Sequence, residues 1–119
     1  EASLLNKAQA MAADNGSTLT LTSDINAIGE QDALYTDTWI SMGDEGSTDK
    51  TEILAHFMPY QINHALMDKT GASIVMHCQP AHLGEEITTE LFDSKMSLAF
   101  EEAENRMWAQ NAVLVSLFS

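Results

Sequence analysis

Two short segments hold the residue types that could do chemistry. The first is His77-Cys78-Gln79-Pro80-Ala81-His82-Leu83-Gly84-Glu85-Glu86, where a thiol stands beside an imidazole, a second imidazole follows, and two carboxylates close the run. Three chemistries are open to it: Cys78 as a nucleophile with His77 as its base, a metal pair of Cys78 or His77 with His82, or a buried thiol with no reactivity. Adjacent residues on a strand face opposite sides of the sheet, which places His77 badly for deprotonating Cys78. Zinc would need a fourth ligand or a water, and the chain has neither C-x-x-C nor H-E-x-x-H, so no metal site is expected.

The second segment is Tyr35-Thr36-Asp37-Thr38-Trp39-Ile40-Ser41-Met42-Gly43. It leaves a carboxylate, Asp37, at the end of a strand, and four residues later a turn with free backbone groups. That combination suits a ligand carrying an ammonium group. An Asp at a strand end is by itself more often a turn or capping residue.

The elements that must position these residues follow from periodicity. Leu4, Leu5, Ala8, Met11 and Ala12 fall at helical spacing, and Asn15-Gly16 stops that helix. Thr18 to Thr22 alternates strictly and predicts a strand with Leu19 and Leu21 on one face. Ser23-Asp24 begins a short turn or helix. Asp32 to Trp39 reads as a second strand. Ser41 to Thr48, rich in Gly and Ser, is a loop. Asp49 and Glu52 have capping-box spacing and open a helix to about Phe57, which Pro59 interrupts before a helical turn around Gln61 to Met67. Ser73 to Cys78 is a continuous apolar run ending in polar residues, as a central parallel strand buried on both faces would be. Ser97 to Phe100 is a fourth strand candidate, and Glu101 to Phe118 a long helix with acidic residues in its first turn. Strand and helix alternate, so the expected fold is α/β: a three-layer, Rossmann-like partial domain whose mostly parallel sheet of about four strands is flanked by helices. His77 and Cys78 then sit at the C-terminal edge of the sheet, where open α/β sheets place their ligands.

Bulk properties narrow the function class. The 119 residues fit one small domain, with 18 acidic residues against five basic ones and a net charge of −13. Such a surface repels phosphate backbones and anionic lipid, which argues against nucleic acid and membrane as partners. The single cysteine excludes an intrachain disulfide and fits a reducing, cytoplasmic compartment. The final stretch from Ala112 to Phe118 is apolar on nearly every face, more than one side of a small sheet can cover. Self-association or domain docking through this helix is expected.

YTDTWISMG, then HCQPAHLGEE, then FEEAENRMWAQNAVL, in this order and spacing, resembles the C-terminal half of ornithine carbamoyltransferases. The resemblance covers essentially the whole chain and implies a single truncated ornithine-binding domain over residues 1–119, with the carbamoyl-phosphate-binding domain absent. It implies transfer of a carbamoyl group from carbamoyl phosphate to the δ-amine of ornithine, giving citrulline, a step of arginine biosynthesis that uses no cofactor. Asp37 then binds the α-amino group of the amino acid, and Ser41 and Met42 contact the same ligand. Cys78 and His77 as catalytic residues, and Gln79 and Pro80 as substrate-binding ones, line the reacting centre, with Cys78 near the side-chain amine and a cis peptide before the proline. Two positions depart from the family pattern: Gln79 stands where the family has Leu, and Leu83 where it usually has Arg. The family grips the carbamoyl phosphate dianion with a helix N-terminus and several arginines of the other domain, so this chain is expected to bind ornithine or a related amino acid, to use carbamoyl phosphate only with that domain, and to be inactive alone. Arg106, the one arginine, is expected in a surface or capping ion pair. A non-catalytic amino-acid-binding module and a remnant kept for assembly are the competing readings.

Overall fold

The computed structural model describes residues 2–40 and 50–119. Helix α1, Ala2–Asp14, half-buries Leu5, Ala8 and Ala12 and leaves Leu4 and Met11 exposed. It ends as its sequence dictates. Gly16 adopts φ 69°, and the amides of Ser17 and Gly16 donate to the carbonyls of Ala12 and Ala13 at 2.8 and 3.0 Å. These are the two paired bonds of a Schellman motif, which only a residue tolerant of the left-handed region can close.

The strand predicted over 18–22 does not form. Those residues run as unpaired chain with Leu19 and Leu21 exposed. Alternation makes a strand only where a neighbouring strand takes up its ladder and a second layer covers its apolar face; neither is present among the described residues. The second predicted strand does form, shortened to β1, Ala33–Thr36. Ser41 to Asp49, including the predicted loop and the first residue of the capping box, lie outside the described residues.

Helix α2, Lys50–Phe57, carries Glu52 in its first turn and gives way at Pro59 to a 3-10 turn, Met58–Tyr60. Helix α3, His64–Thr70, is set by its ends: the Asn63 side chain accepts from the Leu66 amide at 3.0 Å, and Gly71 caps the C-terminus at φ 70°. Strand β2, Ile74–His77, pairs parallel with β1, Ala33 opposite Ile74 and Thr36 opposite His77. The segment from α2 to α3 is thus the crossover that parallel neighbours require.

The fourth strand candidate is reduced to a bridge. Val75 donates to the Met96 carbonyl and Leu98 donates to the Val75 carbonyl, both at 2.9 Å, pairing Val75 with Ser97 in parallel. Helix α5, Ala99–Phe118, starts two residues later. Glu101 and Glu102 in its first turn complement the helix dipole. A four-residue helix α4, Thr89–Phe92, lies between β2 and α5 and buries Leu91 and Phe92; an element this short leaves no periodic trace in the sequence.

The core sits where β2, α3, α4 and the start of α5 meet. It comprises Ile62, Met67, Ala72, Val75, Ile87, Leu91, Phe92 and Ala99, with Leu34, Leu66, Ala81 and Met96 packed against it. The class is α/β, a parallel sheet with helices, as expected. In described residues the sheet has two strands plus the Ser97 bridge, not four. Only Ala99 of α5 is buried, and Leu117 and Phe118 are 70% and 85% exposed. No helix among the described residues is long and apolar enough to cross a membrane.

Candidate functional site

The register of the two strands builds the site. Because Thr36 is opposite His77, the next residues, Asp37 and Cys78, emerge side by side at the C-terminal edge of the sheet. The Cys78 thiol donates to Asp37 Oδ1 at 2.9 Å. The same oxygen accepts from the Thr38 amide at 2.7 Å and lies 3.4 Å from the Thr38 hydroxyl. Asp37 is exposed and Cys78 half-buried. The thiol proton and the Thr38 amide hold Asp37 below the usual carboxylate range. Burial first, and the neighbouring carboxylate second, push the Cys78 thiol up. The pair therefore presents a firm negative charge beside a protonated thiol.

His77 points the other way, into the protein. Its ring and the Glu86 side chain are fully buried, with Nε2 at 2.9 Å from Glu86 Oε1. The Gln79 amide donates to His77 Nδ1 at 2.8 Å, so Nδ1 carries no proton, and the Nε2–H tautomer donates to Glu86. Glu86 Oε1 also accepts from the His82 amide at 2.6 Å. The Phe92 ring stands edge-on to the imidazole, 6.4 Å between centroids. Both nitrogens are engaged and neither faces Cys78, as the alternation of a strand requires.

Gln79 and Pro80 form the turn beyond the thiol. Their peptide bond is cis and Gln79 has φ 54°. The Gln79 side chain donates to the Ala99 carbonyl at 3.0 Å, tying the turn to the start of α5. One turn along that helix, Glu102 accepts from the Tyr35 hydroxyl at 2.9 Å; this bond, more than any other cause, pushes the Tyr35 phenol up to about 12. The sheet edge is thus braced from β1 and from the Gln79 turn against the same helix end. Arg106 is exposed and has no ion pair among the described residues, contrary to the expected surface pairing.

Of the residues read from sequence, Asp37 and Cys78 touch, and His77, Gln79 and Pro80 line the same chain turn. Ser41 and Met42 lie outside the described residues. Glu86, Thr38, Tyr35 and Glu102 were not anticipated. Thr38 carried no local signal, since the Asx turn an aspartate commonly makes takes the amide two residues on, and here the adjacent amide is used. Nothing local marks Glu86 as buried beside His77; only the folding of 78–86 back on itself does so. The metal set considered from sequence does not assemble: His77 is saturated by hydrogen bonds, and Cys78 turns to Asp37. A different group, His82, Glu85 and Glu86, brings one ligand atom from each residue within 4.8 Å of the others.

Residues 1–117 match the family model of the aspartate/ornithine carbamoyltransferase Asp/Orn-binding domain. The chain is 57% identical over 111 residues to an ornithine carbamoyltransferase of Shewanella oneidensis, covering 93% of this chain and 36% of that protein. Its structure is similar to ornithine carbamoyltransferase from Pyrococcus furiosus, with a TM-score of 0.83 at 38% identity, covering 96% of this chain and 36% of that one. It is likewise similar to the anabolic enzyme of Campylobacter jejuni, with a TM-score of 0.85 at 32% identity over 98% of this chain and 39% of the other. The chain therefore spans little more than a third of the length of the proteins it matches.

Proposed function

The chain belongs to the aspartate/ornithine carbamoyltransferase family, and from that membership we propose that residues 1–119 are the amino-acid side of a carbamoyl-transfer site that takes ornithine. The observation that carries the reading is the 2.9 Å contact of Cys78 with Asp37 at the sheet edge. An exposed, firmly ionised carboxylate is what an ammonium group needs. The thiol that occupies it is a weak donor that an incoming ammonium displaces, since charge-assisted hydrogen bonds are roughly twice as strong as neutral ones. Asp37 binds the α-amino group, with Ser41 and Met42 on the same ligand, and the released thiol lies beside the side-chain amine.

In the transfer, the δ-ammonium releases one proton to solvent, the resulting amine nitrogen attacks the carbamoyl carbon, and its second proton leaves with the departing phosphate. The new C–N bond forms as the C–O bond to phosphate breaks, and citrulline and phosphate leave. His77 acts as a positioning residue on this reading: it holds the Gln79 amide, and through it the Gln79–Pro80 turn that lines the reacting centre. Gln79 retains the backbone carbonyl of the family's Leu and adds the tie to Ala99.

The phosphate side requires cations that this chain does not concentrate. It has one arginine and four lysines against 18 carboxylates, a field that opposes a dianion. Turnover thus depends on a carbamoyl-phosphate-binding domain, and the 119 residues alone bind the amino acid without transferring to it. The physiological setting that follows is arginine biosynthesis in the cytoplasm. The exposed apolar end of α5, with Val113, Leu114, Val115, Leu117 and Phe118 uncovered, is the surface on which such a domain or a second copy docks. Leu114→Glu with Leu117→Glu is expected to turn a self-associating chain into a monomer in sedimentation velocity. A monomeric parent chain would count against docking between copies.

Calorimetry tests the binding half. Ornithine should give saturable heat, putrescine much less, and Asp37→Ala should weaken ornithine by about ten- to a hundredfold, the usual worth of a hydrogen bond to a charged group at 1.5–3 kcal/mol. Silence with ornithine, or equal affinity in Asp37→Ala, would overturn the assignment. Citrulline formed on adding a phosphate-binding domain, and not before, tests the other half.

A further inference from the structure

The turn behind the reacting segment contains three acid–base side chains that bring one ligand atom apiece within 4.8 Å of the others, and each of the three also holds a buried atom without a partner. Glu86 is fully buried; its Oε1 serves His77 and the His82 amide, while its Oε2 is buried with no partner. Glu85 gives Oε1 to Lys50 Nζ at 2.7 Å, and its Oε2 is buried and unpartnered. His82 Nδ1 is buried and unpartnered as well, 3.9 Å from Glu85 Oε2 and beyond hydrogen-bond reach. Leaving a buried polar atom without a partner costs about 1–3 kcal/mol, more when it is charged. Three such atoms in one turn of chain are a donor set awaiting something that binds them all.

We propose that His82, Glu85 and Glu86 form a site for one divalent transition-metal cation, held by His82 Nδ1 and one oxygen of each glutamate. One imidazole and two carboxylates are a borderline-to-hard ligand set suited to Zn2+ and its first-row neighbours. The ligand atoms, within 4.8 Å of one another, need to close by roughly an ångström to reach the 2.0–2.2 Å bonds of such an ion. The turn allows this closure, because His82 and Glu85 are partly exposed. Water completes the coordination. The fixed element is Glu86, whose other oxygen already orients two donors, so the ion is tied through one carboxylate to His77 and the Gln79 amide. The Lys50 ammonium on Glu85 is the resident cation the ion must tolerate or displace.

Co2+ and Zn2+ added to the 119-residue chain are the probes, with calorimetry for stoichiometry and the visible and near-ultraviolet spectrum of Co2+ for ligand type. About one equivalent should bind, without a thiolate-to-cobalt charge-transfer band and unchanged in Cys78→Ser. His82→Ala and Glu85→Gln, at partly exposed positions, should each weaken binding by more than the roughly 10–100-fold that loss of an outer-shell partner causes, with the far-ultraviolet circular dichroism of the parent retained. Lys50→Met, which removes the competing ammonium and no ligand, should tighten binding. The proposal is overturned by a thiolate band that Cys78→Ser abolishes, by several weak equivalents insensitive to these variants, or by no binding at millimolar metal. Asp37 lies outside the ligand set, so loss of metal binding and loss of ornithine binding fail independently.

Discussion

Replacing Glu86 by alanine is expected to destabilise the chain by about 3–5 kcal/mol, the cost of removing one member of a buried, hydrogen-bonded pair. The Glu86 and His77 side chains are both fully buried, so solvent cannot substitute for either. Truncation orphans two donors at once, His77 Nε2–H and the His82 amide, and opens a void beneath the imidazole. The midpoint of urea unfolding should fall with the slope unchanged. Glu86→Gln keeps an acceptor oxygen in place and should cost much less than alanine. A loss below about 1 kcal/mol in Glu86→Ala would mean that the pair is not buried as described. An apolar double replacement of His77 and Glu86 should not recover parental stability, although such swaps often do. Here the amides of Gln79 and His82 depend on the pair, and both would be left unbonded. The two single losses should therefore couple strongly in a double-mutant cycle.

That pair also marks the boundary of what sequence alone conveys. Asp37 and Cys78 were readable because each terminates a strand, and once both strands are parallel their ends are neighbours by register. The helix stop at Gly16 and the break at Pro59 were readable because they rest on the backbone chemistry of single residues. The alternation of Thr18 to Thr22 misled because a strand is a property of a pair: period-two patterning says which face could be buried, not whether a partner exists. The fourth strand failed more narrowly. Ser97 keeps its parallel bridge to Val75, but acidic residues at Glu101 and Glu102 favour helix from Ala99 on, and local helix-start chemistry prevailed over a short apolar run. Glu86 and Glu102 were out of reach for a different reason. Each acts on a residue of another element, His77 in β2 and Tyr35 in β1, and a contact of that kind has no spacing signature. The apolar end of α5 was anticipated as a surface in need of cover, and its exposure follows from the same arithmetic: a helix of 20 residues meets the core only near its first turn.

The second large effect concerns the thiol. Asp37→Asn should raise the rate at which Cys78 is alkylated at neutral pH by a factor of about ten for each unit its pKa falls. Partial burial is the first cause that keeps the thiol protonated, and the hydrogen bond to and charge of Asp37 follow. The amide substitution leaves burial in place and removes the charge, so the thiol becomes more acidic without returning to the value of a free cysteine. Asp37 titrates in the opposite sense. Its carboxyl is held low chiefly by the same thiol proton, so Cys78→Ala should move Asp37 back toward 3.8, its value in the absence of these bonds. Because the folded-state value of Asp37 is depressed, the stability it lends is present above the unfolded value and is lost as pH falls through the folded one. In the parent chain that loss runs from the unfolded value down to the lower folded one, and in Cys78→Ala the contribution should shrink and its window end at higher pH, nearer the unfolded value. Iodoacetamide kinetics across pH for parent and Asp37→Asn, with carboxyl titration by NMR for parent and Cys78→Ala, follow both halves of one hydrogen bond. Unchanged alkylation in Asp37→Asn would separate the two groups and remove the observation on which the amine site rests. A coupled response would show the carboxylate and thiol sharing one proton at the sheet edge, the state that an arriving ammonium has to replace.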